Sequence, residues 1–159
     1  VLVGSSKISP ITSAIVNNDL MFDYSTKYYY NHTFDYINDL KLTDKDFLDF
    51  KNYLNTNNFS FETDTEKALK KAFETAKKEE LNDNIESDFN TLISNLNTSK
   101  TNVIDENKDY LLELLTEDIV KRYVYREGLY EYFEIHDTEI KKATDILSKP
   151  TTYQGYLKL

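Results

Sequence analysis

The chain has no cysteine, no tryptophan, one methionine, two histidines, two prolines and three glycines in 159 residues. Without cysteine, disulfides and thiolate metal sites are excluded, and stability has to come from burial. So few glycines and prolines cannot punctuate a chain of many tight turns, which argues for helices over a sandwich or barrel. Basic residues are also in deficit: 19 Lys and Arg against 28 Asp and Glu leave a net charge of −9. That counts against nucleic acid, whose phosphates need a basic footprint, and against adsorption on anionic lipid. No apolar run approaches the ~18 residues of a membrane span. Val1–Lys7 has neither the basic start nor the long apolar middle of a signal peptide. The first residue is not methionine, so the chain is expected to be cut from a longer parent.

What is present is helical periodicity. Between Asp105 and Phe133, Leu111, Leu115, Ile119 and Tyr123 recur every four residues, and Leu112, Leu114 and Val120 widen the stripe. Glu106, Lys108, Asp109, Glu113, Glu117 and Lys121 fall mostly off it. This is the longest unbroken apolar pattern, so the other elements are expected to pack on it. A chain of this length buries ~68–70% of the surface its unfolded form exposes, enough for a core without staples.

In chain order, residues 1–8 read as an extended lead-in. Ser9-Pro10 starts a helix, with Ser as N-cap and Pro at the first position, and Ile11, Ala14, Ile15, Met21, Phe22 and Tyr24 carry its face to about Tyr29. Asn31–Leu42 is a connector. Thr43-Asp44-Lys45-Asp46 caps a helix marked by Phe47, Phe50 and Leu54, with acids where the helix dipole favours them. Phe59-Ser60-Phe61 alternates as a short extended segment would. Thr63-Asp64-Thr65-Glu66 reads as a capping box before Leu69, Ala72, Phe73 and Ala76.

The next apolar set, Leu81, Ile85, Phe89, Leu92, Ile93 and Leu96, points roughly opposite to the Leu69–Ala76 set at ~100° per residue. A break near Glu80–Asn84, with Asn82-Asp83-Asn84 and Glu86 supplying caps, gives two antiparallel helices. One long helix touching different neighbours on its two faces stays open. Asn97–Asn102 reads as a polar loop. Gly128 costs a helix about 1 kcal/mol relative to alanine and marks either a close crossing or the start of the helix's end. Asp137 caps a last clear helix carrying Ile140, Ala143, Ile146 and Leu147, which Pro150 ends. Tyr153, Tyr156 and Leu157 could dock as a short terminal helix. The expectation is therefore one all-α domain over residues 1–159. It has five or six helices in an irregular bundle around a long helix at roughly 105–133, and an extended segment near 59–61.

No reaction centre is visible in the residues. His32 and His136 fall in loops without a second histidine or a carboxylate at ligand spacing, and read as surface or capping groups. Asp44-Lys45-Asp46 and Asp83-Asn84 lack the glycine and the glutamate of a calcium loop. Ser5-Ser6-Lys7 and Ser148-Lys149 are neighbours in sequence, whereas a serine–lysine dyad is built across a fold. Among 28 acids, no pair can be singled out for acid–base work. No phosphate-cradling glycine loop exists. No catalytic, metal or cofactor residue is expected. Thirteen tyrosines and nine phenylalanines favour core or interface packing over a sugar or peptide platform. Arg122, Tyr123, Tyr125 and Arg126 form the best candidate packing or interface cluster, since guanidinium stacks on tyrosine and pairs with carboxylate.

The run Glu117-Asp118-Ile119-Val120-Lys121-Arg122-Tyr123-Val124-Tyr125-Arg126-Glu127-Gly128 resembles a segment near the C-terminus of tail-specific (carboxy-terminal processing) serine proteases of Bacteroidetes-like bacteria. Asp137–Leu147 and Tyr153–Leu157 follow in the order such proteins show. Ser9-Pro10-Ile11-Thr12, Leu20–Tyr24, Lys41–Asp44 and Phe59–Thr63 resemble the passage that leaves their catalytic core. The resemblance implies that the nucleophilic serine, its lysine and the PDZ module lie upstream of this chain. It implies a non-catalytic helical region, inactive alone, whose partners are the upstream protease core and substrate protein tails. It also implies a periplasmic or envelope location. The alternative is a free-standing module whose tyrosine-rich face binds a protein or glycan.

Overall fold

A computed structural model describes residues 9–81 and 85–157. The described residues form helices α1 (Pro10–Asn17), α2 (Leu20–Asn31), α3 (Asp44–Thr56), α4 (Asp64–Lys78), α5 (Ile85–Glu106), α6 (Lys108–His136), α7 (Thr138–Leu147) and α8 (Pro150–Leu157). A 3-10 turn at Ile37–Asp39 interrupts the α2–α3 connector. The fold is all-α, and no strand occurs among the described residues. Phe59–Phe61 belongs to no regular element, although its side chains alternate between half-buried and exposed. The lead-in at 1–8, Ser5-Ser6-Lys7 within it, and the Asn82–Asn84 caps lie outside the described residues.

Helix starts follow the caps in the sequence. The Thr12 N–H donates to Ser9 Oγ at 3.1 Å, and Pro10 opens α1. The Thr43 N–H donates to Asp46 Oδ2 at 2.7 Å at the head of α3. Asp137 Oδ1 accepts from the N–H groups of Glu139 and Ile140 at 2.7 and 2.9 Å. Helix ends are made almost without glycine. After α3, Asn58 sits at φ 53° and the Phe59 N–H reaches back to the Leu54 carbonyl. After α4, Glu80 sits at φ 61° and the Leu81 N–H reaches the Ala76 carbonyl. Both are left-handed caps in which the backbone bonds offset the cost of a side chain at positive φ.

Several expectations change. The first helix divides, because Asn18 turns its amide onto the Ala14 carbonyl (2.7 Å) and Asp19 takes φ 57°. Asn97–Asn102 is helical and not a loop: Thr98 and Thr101 hydroxyls donate to the Ser94 and Asn97 carbonyls, both at 3.2 Å, within α5. Polar side chains that bond their own helix's carbonyls hide its continuity from composition. Consequently Asp105 and Glu106 finish α5, and the organising helix begins at Lys108. Finally, that helix bends at Tyr125 (φ 56°, ψ −163°), and Gly128 lies against Val124 on the inside of the bend.

Leu111, Leu115, Ile119 and Val120 of α6 are 0% exposed. They meet Ile15, Met21, Tyr24, Leu40, Phe50 and Leu54 in one core, with α2 lying along α6. Beyond the bend, Leu129 and Tyr132 rejoin that core, and the Tyr132 hydroxyl donates to the Leu40 carbonyl at 3.0 Å. Helices α4 and α5 are separate and antiparallel. Phe73 stacks on Phe89 with centroids 4.2 Å apart, and Glu66 near the start of α4 pairs with Lys100 near the end of α5. Pro150 opens α8, whose Tyr153, Tyr156 and Leu157 stay exposed instead of docking.

Candidate functional site

Two places concentrate polar chemistry, a seam between α2 and α6 and a cleft between α3, α4 and α5. At the seam, Arg122 lies across α2. Its Nη2 donates to the Phe22 carbonyl at 2.7 Å, and Nε and Nη2 reach Thr26 Oγ1 at 3.1 Å. The guanidinium also covers the Phe22 ring at 4.5 Å and returns a hydrogen bond to the Asp118 carbonyl. The next residue of α6, Tyr123, reaches the end of α2, where its hydroxyl donates to the His32 carbonyl at 2.6 Å. Its ring meets Tyr29 and Phe34 edge-on.

Tyr125 and Arg126 do not join this group. Tyr125 is 76% exposed at the bend, and Arg126 Nε donates to the Tyr130 hydroxyl at 3.0 Å on the outer surface. The four residues therefore split into a pair fastened to α2 and a pair facing solvent. Lysine cannot reproduce the two-pronged reach of Arg122. Arg122→Lys should lower unfolding free energy by about 1–3 kcal/mol, because a single ammonium cannot hold the Phe22 carbonyl and Thr26 Oγ1 together. Chemical denaturation showing an unchanged midpoint would refute that role.

The cleft encloses about 580 Å³. Ile11, Leu54, Phe59, Phe61 and Ile104 supply apolar walls, and Lys51, Glu62, Glu66, Lys70 and Lys100 the charges. The left-handed cap after α3 turns Phe59 back over Leu54, so both line the same wall. Glu66 is only 8% exposed. Its carboxylate takes Lys100 on one oxygen and Lys70 on the other at 3.1 Å, and Lys70 also reaches Glu62 at 2.7 Å. The expected capping box is thus half formed: Thr63 Oγ1 accepts from the Glu66 N–H at 3.1 Å, while the Glu66 carboxylate turns to the lysines. The i, i+4 spacing of Glu66 and Lys70 is the one signal in the sequence that could have found this pair. Lys100 was not legible, because its stretch reads as a loop.

Electrostatics hold this network ionised. Hydrogen bonding from Lys100 and Lys70 pulls Glu66 below its ordinary value of 4.5, although burial pushes the other way. The bonds it donates to Glu62 and Glu66 raise Lys70, so its amine stays protonated and is a poor base. Because the folded pKa of Glu66 lies below the unfolded one, its contribution is complete above the unfolded value and fades as pH falls through the folded one. At neutral pH, Glu66→Gln should cost about 1 kcal/mol, since both lysines keep contact with water. As pH falls below the ordinary glutamate range the two proteins should converge in urea unfolding. A gap that does not shrink on acidification would contradict this account.

Several other titratable groups are engaged in packing. Burial pushes Tyr28 up to about 12 and raises Tyr24 and Tyr132 as well. His32 stacks on Tyr28 at 3.8 Å, with Nδ1 2.9 Å from the Tyr28 carbonyl, and His136 stacks on Tyr132 at 4.2 Å. Ser148 and Lys149 both turn to Asp145, whose carbonyl accepts the hydroxyl at 3.0 Å and whose carboxylate accepts the amine at 2.5 Å. Among the described residues, no group of three or more His, Asp or Glu could hold a metal. No helix there is long and apolar enough to cross a membrane. The cleft and the seam present apolar walls, a charged rim and aromatic edges.

The family model described as probable PDZ-protease, C-terminal helical domain, matches residues 11–147. No curated protein and no solved structure matches the chain.

Proposed function

The chain belongs to the C-terminal helical domains of probable PDZ-proteases, and from that premise we propose that it is a non-catalytic brace for the protease core of its parent. In this reading the domain seats against the core, steadies it and helps to hold substrate protein tails. The observation that carries it is the set of large apolar side chains on outer surfaces. Phe22, Leu81, Leu92, Leu147 and Leu157 are all exposed, and Tyr30 and Tyr36 reach 79% and 74%. Scattered singly such residues are ordinary, but several faces of one small domain carrying them fit a surface that a larger body covers. Arg122 and Tyr123 act as internal fastenings, and Tyr125 and Arg126 as contact residues. The parent's location is the envelope or periplasm.

The test is deletion of this domain from the parent. The shortened protease should lose thermal stability and turn over tail-bearing substrate more slowly, while the 159-residue chain alone cleaves nothing. A shortened protease as stable and active as the intact one would refute the brace. A second reading has its own support: Tyr29 packs edge-on against both Tyr30 and Tyr123, building an aromatic ridge suited to a protein or glycan. Binding of such a ligand by the chain alone, lost in Tyr30→Ala, would favour that module instead.

A further inference from the structure

Helix α6 doubles back on itself. Glu113 and Thr116 of its first part line one pocket of about 460 Å³ with Tyr132, Phe133 and His136 of its second. In a straight helix Glu113 and His136 would stand ~35 Å apart. The fold is made at Tyr125, whose φ of 56° and ψ of −163° lie where a side chain enters only under strain. Proline, a common cause of a sharp kink, is absent from α6. Gly128 is not the residue that turns; it leaves room for Val124 in the crook.

Against that strain stands a small latch. Among the described residues beyond the bend, Leu129 and Tyr132 are the buried ones, and the Tyr132 hydroxyl donates to the Leu40 carbonyl at 3.0 Å. Phe133 packs half-buried on the same core. Helix α7 packs on α6 and α8 on α7, and no described residue of α7 or α8 is buried. Residues 126–157 thus hang on the rest of the domain as one arm, held by the latch and turned by one residue.

We propose that α6 is a two-state hinge: bent at Tyr125 as here, or straight through it, with residues 126–157 swung outward. Local backbone preference favours the straight form, and burial of Leu129 and Tyr132 the bent one. Each side rests on few groups, so both forms are populated, and a contact that prefers one of them shifts the balance. Opening bares Leu129, Tyr132 and Phe133 together on the inner side of the arm. The hinge goes beyond the brace reading and does not depend on it.

The chain has no cysteine, so Glu113→Cys with Glu134→Cys, both at exposed positions, places two spin labels across the bend. Pulsed electron resonance should read a short separation and, in a smaller population, a long one near the ~32 Å of a straight helix. Gly128→Ala fills the crook and should make the long separation the main one, whereas Tyr125→Gly relieves the turn and should abolish it. Tyr132→Phe removes only the latch bond and should enlarge the long population about fivefold. A short separation alone, in Tyr132→Phe and in a Gly128→Ala chain that keeps its helix content, would overturn the hinge. If Gly128→Ala loses that content, Tyr132→Phe decides by itself. A long separation alone in the unmutated hinge would mean a permanently straight α6 and would also overturn it. A long population that grows with protein concentration would assign the opening to exchange between copies and overturn an arm that moves within one chain.

Discussion

Replacing Ile119 by alanine should lower the unfolding free energy by about 2–5 kcal/mol, and Ile119→Val by about 0.5–1.5. Ile119 is 0% exposed, in the row it shares with Leu111 and Leu115, where α6 meets the rest of the core. Truncation removes buried methyl groups and leaves a void, since neighbours on α6 and α2 are held by their own packing and cannot collapse into it. Urea unfolding gives the measurement, with an unchanged dependence on denaturant confirming that only stability moved. A loss below about 0.5 kcal/mol would place Ile119 at the surface and remove α6 from the centre of the fold.

Gly128→Ala should destabilise the protein by about 1–3 kcal/mol, although the same change in a straight helix stabilises by about 1 kcal/mol. A Cβ built at Gly128 would lie 2.4 Å from Val124 Cβ and 2.5 Å from its Cγ2. Branching at Cβ leaves Val124 no rotamer that vacates the space. That contact exists because Tyr125 sits at φ 56°, a region only glycine enters freely. Tyr125→Gly should therefore do the reverse and stabilise by about 1 kcal/mol, by relieving backbone strain. Together the two variants report on the bend: thermal denaturation showing Gly128→Ala stabilising and Tyr125→Gly destabilising would mean that α6 runs straight. The bend also aims Tyr132 at the Leu40 carbonyl, so Gly128→Ala should loosen the contact between α6 and the 3-10 turn.

Class and location of the core were readable because they depend on period and on composition. Four-residue spacing of Leu111, Leu115 and Ile119, with Leu112, Leu114 and Val120 beside them at odd offsets, fits one helical face and not the two-residue alternation of a strand. Ser9-Pro10, Thr43 and Asp137 carry their own capping atoms, so those starts needed no tertiary partner. The opposed faces of the Leu69–Ala76 and Ile85–Leu96 sets favoured a turn between α4 and α5 over one long helix, and two helices are found there. The identity of the family was legible from the run ending at Gly128 and agrees with the match over residues 11–147.

Alone, the residues determined an all-α chain and its main core stripe, through local spacing and capping chemistry, which are properties of neighbours along the chain. The family came instead from the resemblance carried by residues 117–128. Only the tertiary structure decided that Asn97–Asn102 is helical, that α6 bends at Tyr125, and that Glu66 leaves its cap for Lys100. It likewise separated Arg122 and Tyr123, fastened to α2, from Tyr125 and Arg126, turned to solvent. Each of these hangs on a contact between residues distant in sequence or on a backbone angle stabilised by surrounding packing. Neither leaves a periodic trace in the chain.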